Sequence, residues 1–151
     1  MHSSGQEKIV KILAEYQDDD GKSSIEGLRA VSLENQLYEV RNIPVFASGV
    51  HLFDIVRCRE LPDQDICPTI IEVVTPSDYQ TIGVVFFESV QGEQQAEILS
   101  DLQNKSANLI YERATKKHMT IAMPNGESQE IFEVLESYKR QNKVEFYEIL
   151  E

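Results

Sequence analysis

The chain has 151 residues, enough for one ordinary domain or two very small ones, and a length that needs no disulfide or metal to hold a core. Its 41% hydrophobic and 26% charged residues exclude wholesale disorder. A net charge of −12 excludes a protein built to bind nucleic acid or anionic lipid, because such a field repels phosphate and attracts cations and basic proteins. The excess is spread out: residues 1–80 carry 7 basic and 14 acidic side chains, and residues 81–151 carry 7 and 12. Cys58 and Cys67 fit no zinc or Cys-x-x-Cys spacing, so free thiols in a reducing, cytoplasmic setting are expected. Neither a signal peptide nor an apolar run near the ~20 residues of a membrane span is seen.

In chain order, residues 7–16 fit a helical face through Ile9, Ile12, Leu13 and Tyr16, and equally a strand through Val10, Ile12, Ala14 and Tyr16. The turn Asp18-Asp19-Asp20-Gly21 favours the strand, since three like negative charges are unwelcome at a helix C-terminus. Two short strands follow, Ile25–Ser32 and Gln36–Arg41, with Glu34-Asn35 turning between them. Pro44 bars a central ladder position, and Gly49 suggests a positive-φ turn. Val50–Arg59 reads as a strand, residues 60–65 as a loop, and residues 69–75 as a strand closed by Pro76. This half is expected to be a small curled antiparallel sheet or barrel.

After Tyr79 the pattern changes. Thr81–Glu88 reads as a buried strand on Ile82, Val84, Val85, Phe86 and Phe87. Glu93–Asn104 is an amphipathic helix with Ile98, Leu99 and Leu102 inward. Leu109–Ala114 and His118–Met123 are strands joined by Lys116-Lys117. Glu127–Gln141 is a second helix on Ile131, Phe132, Leu135 and Tyr138, and Val144–Leu150 a last strand. The order β-α-β-β-α-β is that of a ferredoxin-like unit. The expected fold class is therefore α+β: a β-rich half over residues 1–80 packed on a ferredoxin-like half over residues 81–151, sharing one core.

From Asn42 to Val50 the chain reads N-I-P-V-F-A-S-G-V, followed by Phe53-Asp54-Ile55-Val56. This pattern resembles the bacterial domain of unknown function 4265 family, and the resemblance extends by pattern from about Ile9 to Glu148. Two departures stand out: this chain has no Trp where members often have one near the Leu28 position, and Phe53 replaces a common Gly before Asp54. The resemblance implies a strand at residues 7–16 and carries no activity.

Candidate chemistry is sparse. His2, His51 and His118 sit in no metal spacing, so neither metal nor cofactor is expected. Cys58, seven residues from His51, is read as a buried packing thiol, with a Cys–His pair as the alternative. Asp54 lies in an apolar context and is read as structural, bonding backbone N–H groups of the Ala47–Gly49 turn, with Asn42, Pro44 and Gly49 in the same turn motif. No glycine-rich phosphate loop and no base-stacking strand is found.

The expected function is that of a non-enzymatic, acidic, protein-binding inhibitor. Its most concrete form is an immunity protein or antitoxin that occludes the active site of a basic toxin such as a nuclease. Asp18, Asp19, Asp20, Glu60, Asp63, Asp65, Glu72 and Asp78 are the candidate contacts; the plainer account of each is a solvated face. Two other classes stay open: a small-molecule-binding or enzymatic domain with a pocket between the halves near Asp54 and His51, and a regulatory subunit.

Overall fold

A computed structural model describes residues 7–61 and 66–149 and divides the chain into two compact units at Ser77/Asp78. The first unit is a closed five-stranded barrel. Its strands are β1 (Ile9–Gln17), β2 (Ser23–Ser32), β3 (Leu37–Val40), β4 (Ile55–Leu61) and β5 (Ile66–Thr75). Successive strands pair antiparallel, and the ring closes where β1 and β5 meet in parallel at Leu13↔Thr69. Alternation sends Ile12 and Ala14 from β1, Leu28 and Ala30 from β2, and Val56 and Cys58 from β4 into one hydrophobic cluster. Three register shifts between β4 and β5 add twist, which helps a sheet this narrow curl shut.

The turns follow from their residues. The β1–β2 hairpin turns at Asp18–Gly21, where Gly21 takes φ +80°. The Asp18 carboxylate accepts the N–H groups of Asp20 and Lys22, each at 2.9 Å. The β2–β3 turn centres on Asn35 and Gln36, both at positive φ, one residue beyond the expected Glu34-Asn35.

Two strand boundaries differ from the sequence reading. Val50–Asp54 is not part of a strand; β4 starts at Ile55. Val50 joins the barrel core and Leu52 is buried, but Phe53 at φ +71° breaks any extended run. The loop expected at residues 60–65 is shorter, since β4 continues through Leu61 and β5 begins at Ile66. Asp63 and Asp65 lie outside the described residues.

The second unit contains β6 (Tyr79–Phe86), α1 (Gly92–Lys105), β7 (Ile110–Arg113), β8 (His118–Pro124), α2 (Ser128–Arg140) and β9 (Val144–Ile149). Its sheet runs β7-β8-β6-β9, antiparallel throughout. Ile82, Val84 and Phe86 alternate onto the helix-facing side with Met119, Ile121 and Met123, where they meet Ile98, Leu102, Ile131 and Leu135. Val85, expected to be buried, is on the opposite side and exposed: β6 alternates, and its apolar run is not buried on both faces. Glu127, expected in the first helical turn, belongs to a 3-10 turn before α2, where Ser106 and Asn108 donate hydrogen bonds to it.

Helix α1 is capped by the Gln94 side chain, which accepts the Gln91 N–H at 3.0 Å. Beyond the end of α2, Asn142 at φ +60° lets Lys143 N–H reach the Tyr138 carbonyl at 3.0 Å. Glycine reaches that conformation without the Cβ penalty. Asn142→Gly is expected to raise the unfolding free energy by about 0.5–1 kcal/mol, measured by urea unfolding; a loss would show that the Asn side chain itself caps the helix.

Candidate functional site

The connection from β3 to β4, residues 41–54, carries the sequence signature and is held by three polar side chains. Asn42 is buried, and its Oδ1 accepts the Arg29 N–H at 2.6 Å. Glu26, on β2, accepts three consecutive backbone N–H groups: Val45 at 2.7 Å, Phe46 at 3.0 Å and Ala47 at 2.9 Å. Asp54 is 2% exposed and divides its oxygens between the His51 N–H at 2.8 Å and the Ser77 N–H at 2.7 Å. The donors to Asp54 are thus not those of the Ala47–Gly49 turn. Glu26 takes the amides on that side, and Asp54 ties the far end of the loop to the chain after β5. Pro44 is buried in this loop, and Gly49 sits at φ +80°, a conformation that suits a residue without Cβ.

Glu26 was missing from the sequence reading, although a signal was there. It lies two residues before Leu28 and four before Ala30, both buried, so strand alternation points its carboxylate towards the interior. A carboxylate in that position needs donors. The loop it captures presents Phe46, which is 63% exposed and stacked on Tyr16 with ring centroids 5.6 Å apart.

The acidic residues singled out from the sequence divide by environment. Asp18 shapes its own turn. Glu60 accepts the Tyr38 hydroxyl, and burial together with that carboxylate pushes the Tyr38 pKa up. Glu72 pairs with Arg57 at 3.1 Å. Asp19, Asp20 and Asp78 are exposed. A further acidic region was not foreseen: Glu97 and Asp101 of α1 line a groove of about 510 Å³ with Val134 and Tyr138 of α2 and the cations Lys105 and Lys143. The Tyr138 hydroxyl donates to Asp101, and its pKa is pushed up to about 12 by burial and by that carboxylate.

Cys58 is buried in the barrel core, and burial, with the Glu60 charge second, pushes its pKa up to about 12, so it stays a thiol at neutral pH. Among the described residues no three His, Cys, Asp or Glu side chains gather as metal ligands, and no helix is long and apolar enough to cross a membrane. His118 has an unexpected neighbour. On the sheet side away from the helices, the Tyr147 hydroxyl lies 2.7 Å from His118 Nε2. Gly83 pairs directly with Tyr147, and a Cβ there would stand 2.2 Å from the Tyr147 ring. The missing side chain lets the ring lie across β6 and reach β8.

Residues 26–146 match the profile of a protein family described as "Domain of unknown function (DUF4265)". The chain belongs to this family. No curated protein matches it. Among solved structures, the chain is similar to a hypothetical protein from Neisseria gonorrhoeae known from a crystal structure. The TM-score is 0.77 at 16% identity, covering 98% of this chain and 97% of that one. Identity this low shows a shared fold alone.

Two measurements test this anatomy. Glu26→Ala should cost about 2 kcal/mol in urea unfolding, because three amides lose a charged acceptor; Glu26→Gln should recover only part of it, since its Nε2 faces donors. Burial holds the His118 pKa below its ordinary value, so its contribution to stability is full above about pH 6.5 and is lost as pH falls through that value towards the folded one. In Gly83→Ala the Tyr147 ring must swing away, and the His118 titration followed by NMR should move up towards about 6.5. An unmoved titration would show that Tyr147 does not shield the ring.

Proposed function

We propose that the chain is an acidic protein-binding inhibitor, an immunity protein or antitoxin that blocks the active site of a basic toxin such as a nuclease. The observation that carries this reading is the placement of its negative charge. Carboxylates stand exposed on both units: Glu15, Asp19, Asp20 and Glu34 in the first, and Glu93, Glu97, Glu130, Glu133 and Glu136 in the second. A surface of this sign steers a cationic cleft into contact and competes with phosphate for it. In this reading the protein works in the cytoplasm with no cofactor and no chemistry of its own. The backbone N–H groups held by each oxygen of the buried Asp54 and the high pKa of Cys58 support the second point.

In the same reading the second unit is a ferredoxin-like scaffold. Its element order β-α-β-β-α-β and the strand order β7-β8-β6-β9 support this. Its two helices then form an acidic outer layer, and the barrel supplies the Asp19-Asp20 turn.

The test is recovery of the chain from its native cytoplasm at low and high salt. An equimolar basic protein should accompany it. Its affinity should fall about tenfold or more between 50 and 300 mM salt, or on Asp19→Lys with Asp20→Lys. Recovery of the chain with no protein partner, and with a small molecule retained in native mass spectrometry, would overturn the reading.

A further inference from the structure

We infer that the mouth of the barrel beside Phe46 is the docking surface for a basic protein, taking an arginine-bearing loop of that partner. This rests on the protein-binding reading above and assigns the contact to a place that reading did not name. Phe46 is, among the described residues, the most exposed of the large apolar side chains. It is nevertheless fixed on two sides: Glu26 holds its N–H and those of its neighbours, and its ring lies nearly parallel to Tyr16, at 15°. An aromatic ring already ordered before contact loses little entropy on binding, which is the character of an interface anchor.

The chain neighbours of the two stacked rings, Ala47 and Glu15, line a cleft of about 250 Å³ together with Ser48, Val50, Ile70 and Glu72. Topology explains it. Strands β1 and β5 run parallel and pair at Leu13↔Thr69; beyond that bridge they form no further pairs, and the loop at Ala47–Val50 lies at the opening. The volume is below that of an ordinary small-molecule site and suits one side chain.

Charge selects the occupant. Glu15 is in no ion pair among the described residues, Glu72 shares its carboxylate with Arg57 at 3.1 Å, and the Asp18–Asp20 turn follows directly on β1. A guanidinium satisfies both demands of the site: it stacks on aromatic faces, and its planar fork matches a carboxylate.

The experiment is an NMR titration of the full chain with an acetylated dodecapeptide of alternating Gly and Arg, and with the same peptide carrying citrulline. Amide shifts should concentrate at Tyr16, Phe46–Ser48 and Ile70–Glu72, and the citrulline peptide should bind about tenfold more weakly or worse. Phe46→Ala should weaken the arginine peptide by about tenfold. Ser48→Lys, which leaves the ring in place and puts a like charge at the cleft, should do the same if Phe46→Ala disturbs the loop. Shifts spread over α1 and α2 and unchanged in both variants would overturn this assignment while leaving the inhibitor reading intact. Absence of binding by either peptide at millimolar concentration would also overturn it. The inhibitor reading fails separately, by the absence of any protein partner in the native extract.

Discussion

A carboxylate on the inner face of a small barrel must find donors, and in this protein the backbone supplies them. Glu26 sits on the core-facing side of β2, and the loop from β3 to β4 folds back so that three successive amides point at it. That single capture sets the path of residues 41–54. With the amides fixed, Ile43 and Ala47 turn inward, and Val50 and Leu52 follow. Asn42 and Asp54 secure the two ends, one to β2 and one to the segment after β5. A buried loop is ordinarily costly because its polar backbone loses water. Here the side chains meet that cost, and Ala47 and Val50 between them join the barrel core.

The second unit solves the same accounting problem differently. Its backbone groups are used within the sheet and helices, and side chains are needed chiefly at the ends: Gln94 at the start of α1, Asn142 at the end of α2. Gln95, buried beneath the basic turn, joins two loops by donating to the carbonyls of Val90 and Lys116 and accepting from Arg113 at 2.8 Å. Glu93, Glu97, Glu130, Glu133 and Glu136 stand exposed on the helices, so their charge does not conflict with the core.

Much of this architecture was legible in the sequence because it rests on periodicity. Ile12, Ala14 and Tyr16 alternate as β1 requires, and Ile131 and Leu135 recur as α2 requires. The family was legible on other grounds, as a resemblance carried by Asn42–Val50. What was not legible depends on contacts between distant residues. Val50–Asp54 is as apolar as a strand, and only the positive φ of Phe53 and the reach of Asp54 to Ser77 make it a turn. The Tyr147–His118 contact spans 29 positions and exists because Gly83 is bare, a reason that no local pattern displays. The acidic loops chosen from composition were partly spent on structure, Asp18 on its turn and Glu60 on Tyr38. Composition counts charges without saying which of them the fold consumes.

The closure of the barrel at Leu13↔Thr69 has a consequence for how the chain assembles. The pairs from β1 through β5 join neighbours in sequence, three of them across short connections and the β3–β4 pair across residues 41–54. The β1–β5 pair joins residues from opposite ends of the unit, and its entropy cost falls due only once the intervening strands are in place. Closing the ring is therefore the pairing with the longest stretch of chain to bring together. Amide protons along that seam should belong to the least protected set in the barrel, while the hairpin of β1 and β2 persists. The loop of Ala47–Val50 lines the cleft at that seam, so the exposed ring of Phe46 is carried where a single bridge holds the barrel wall.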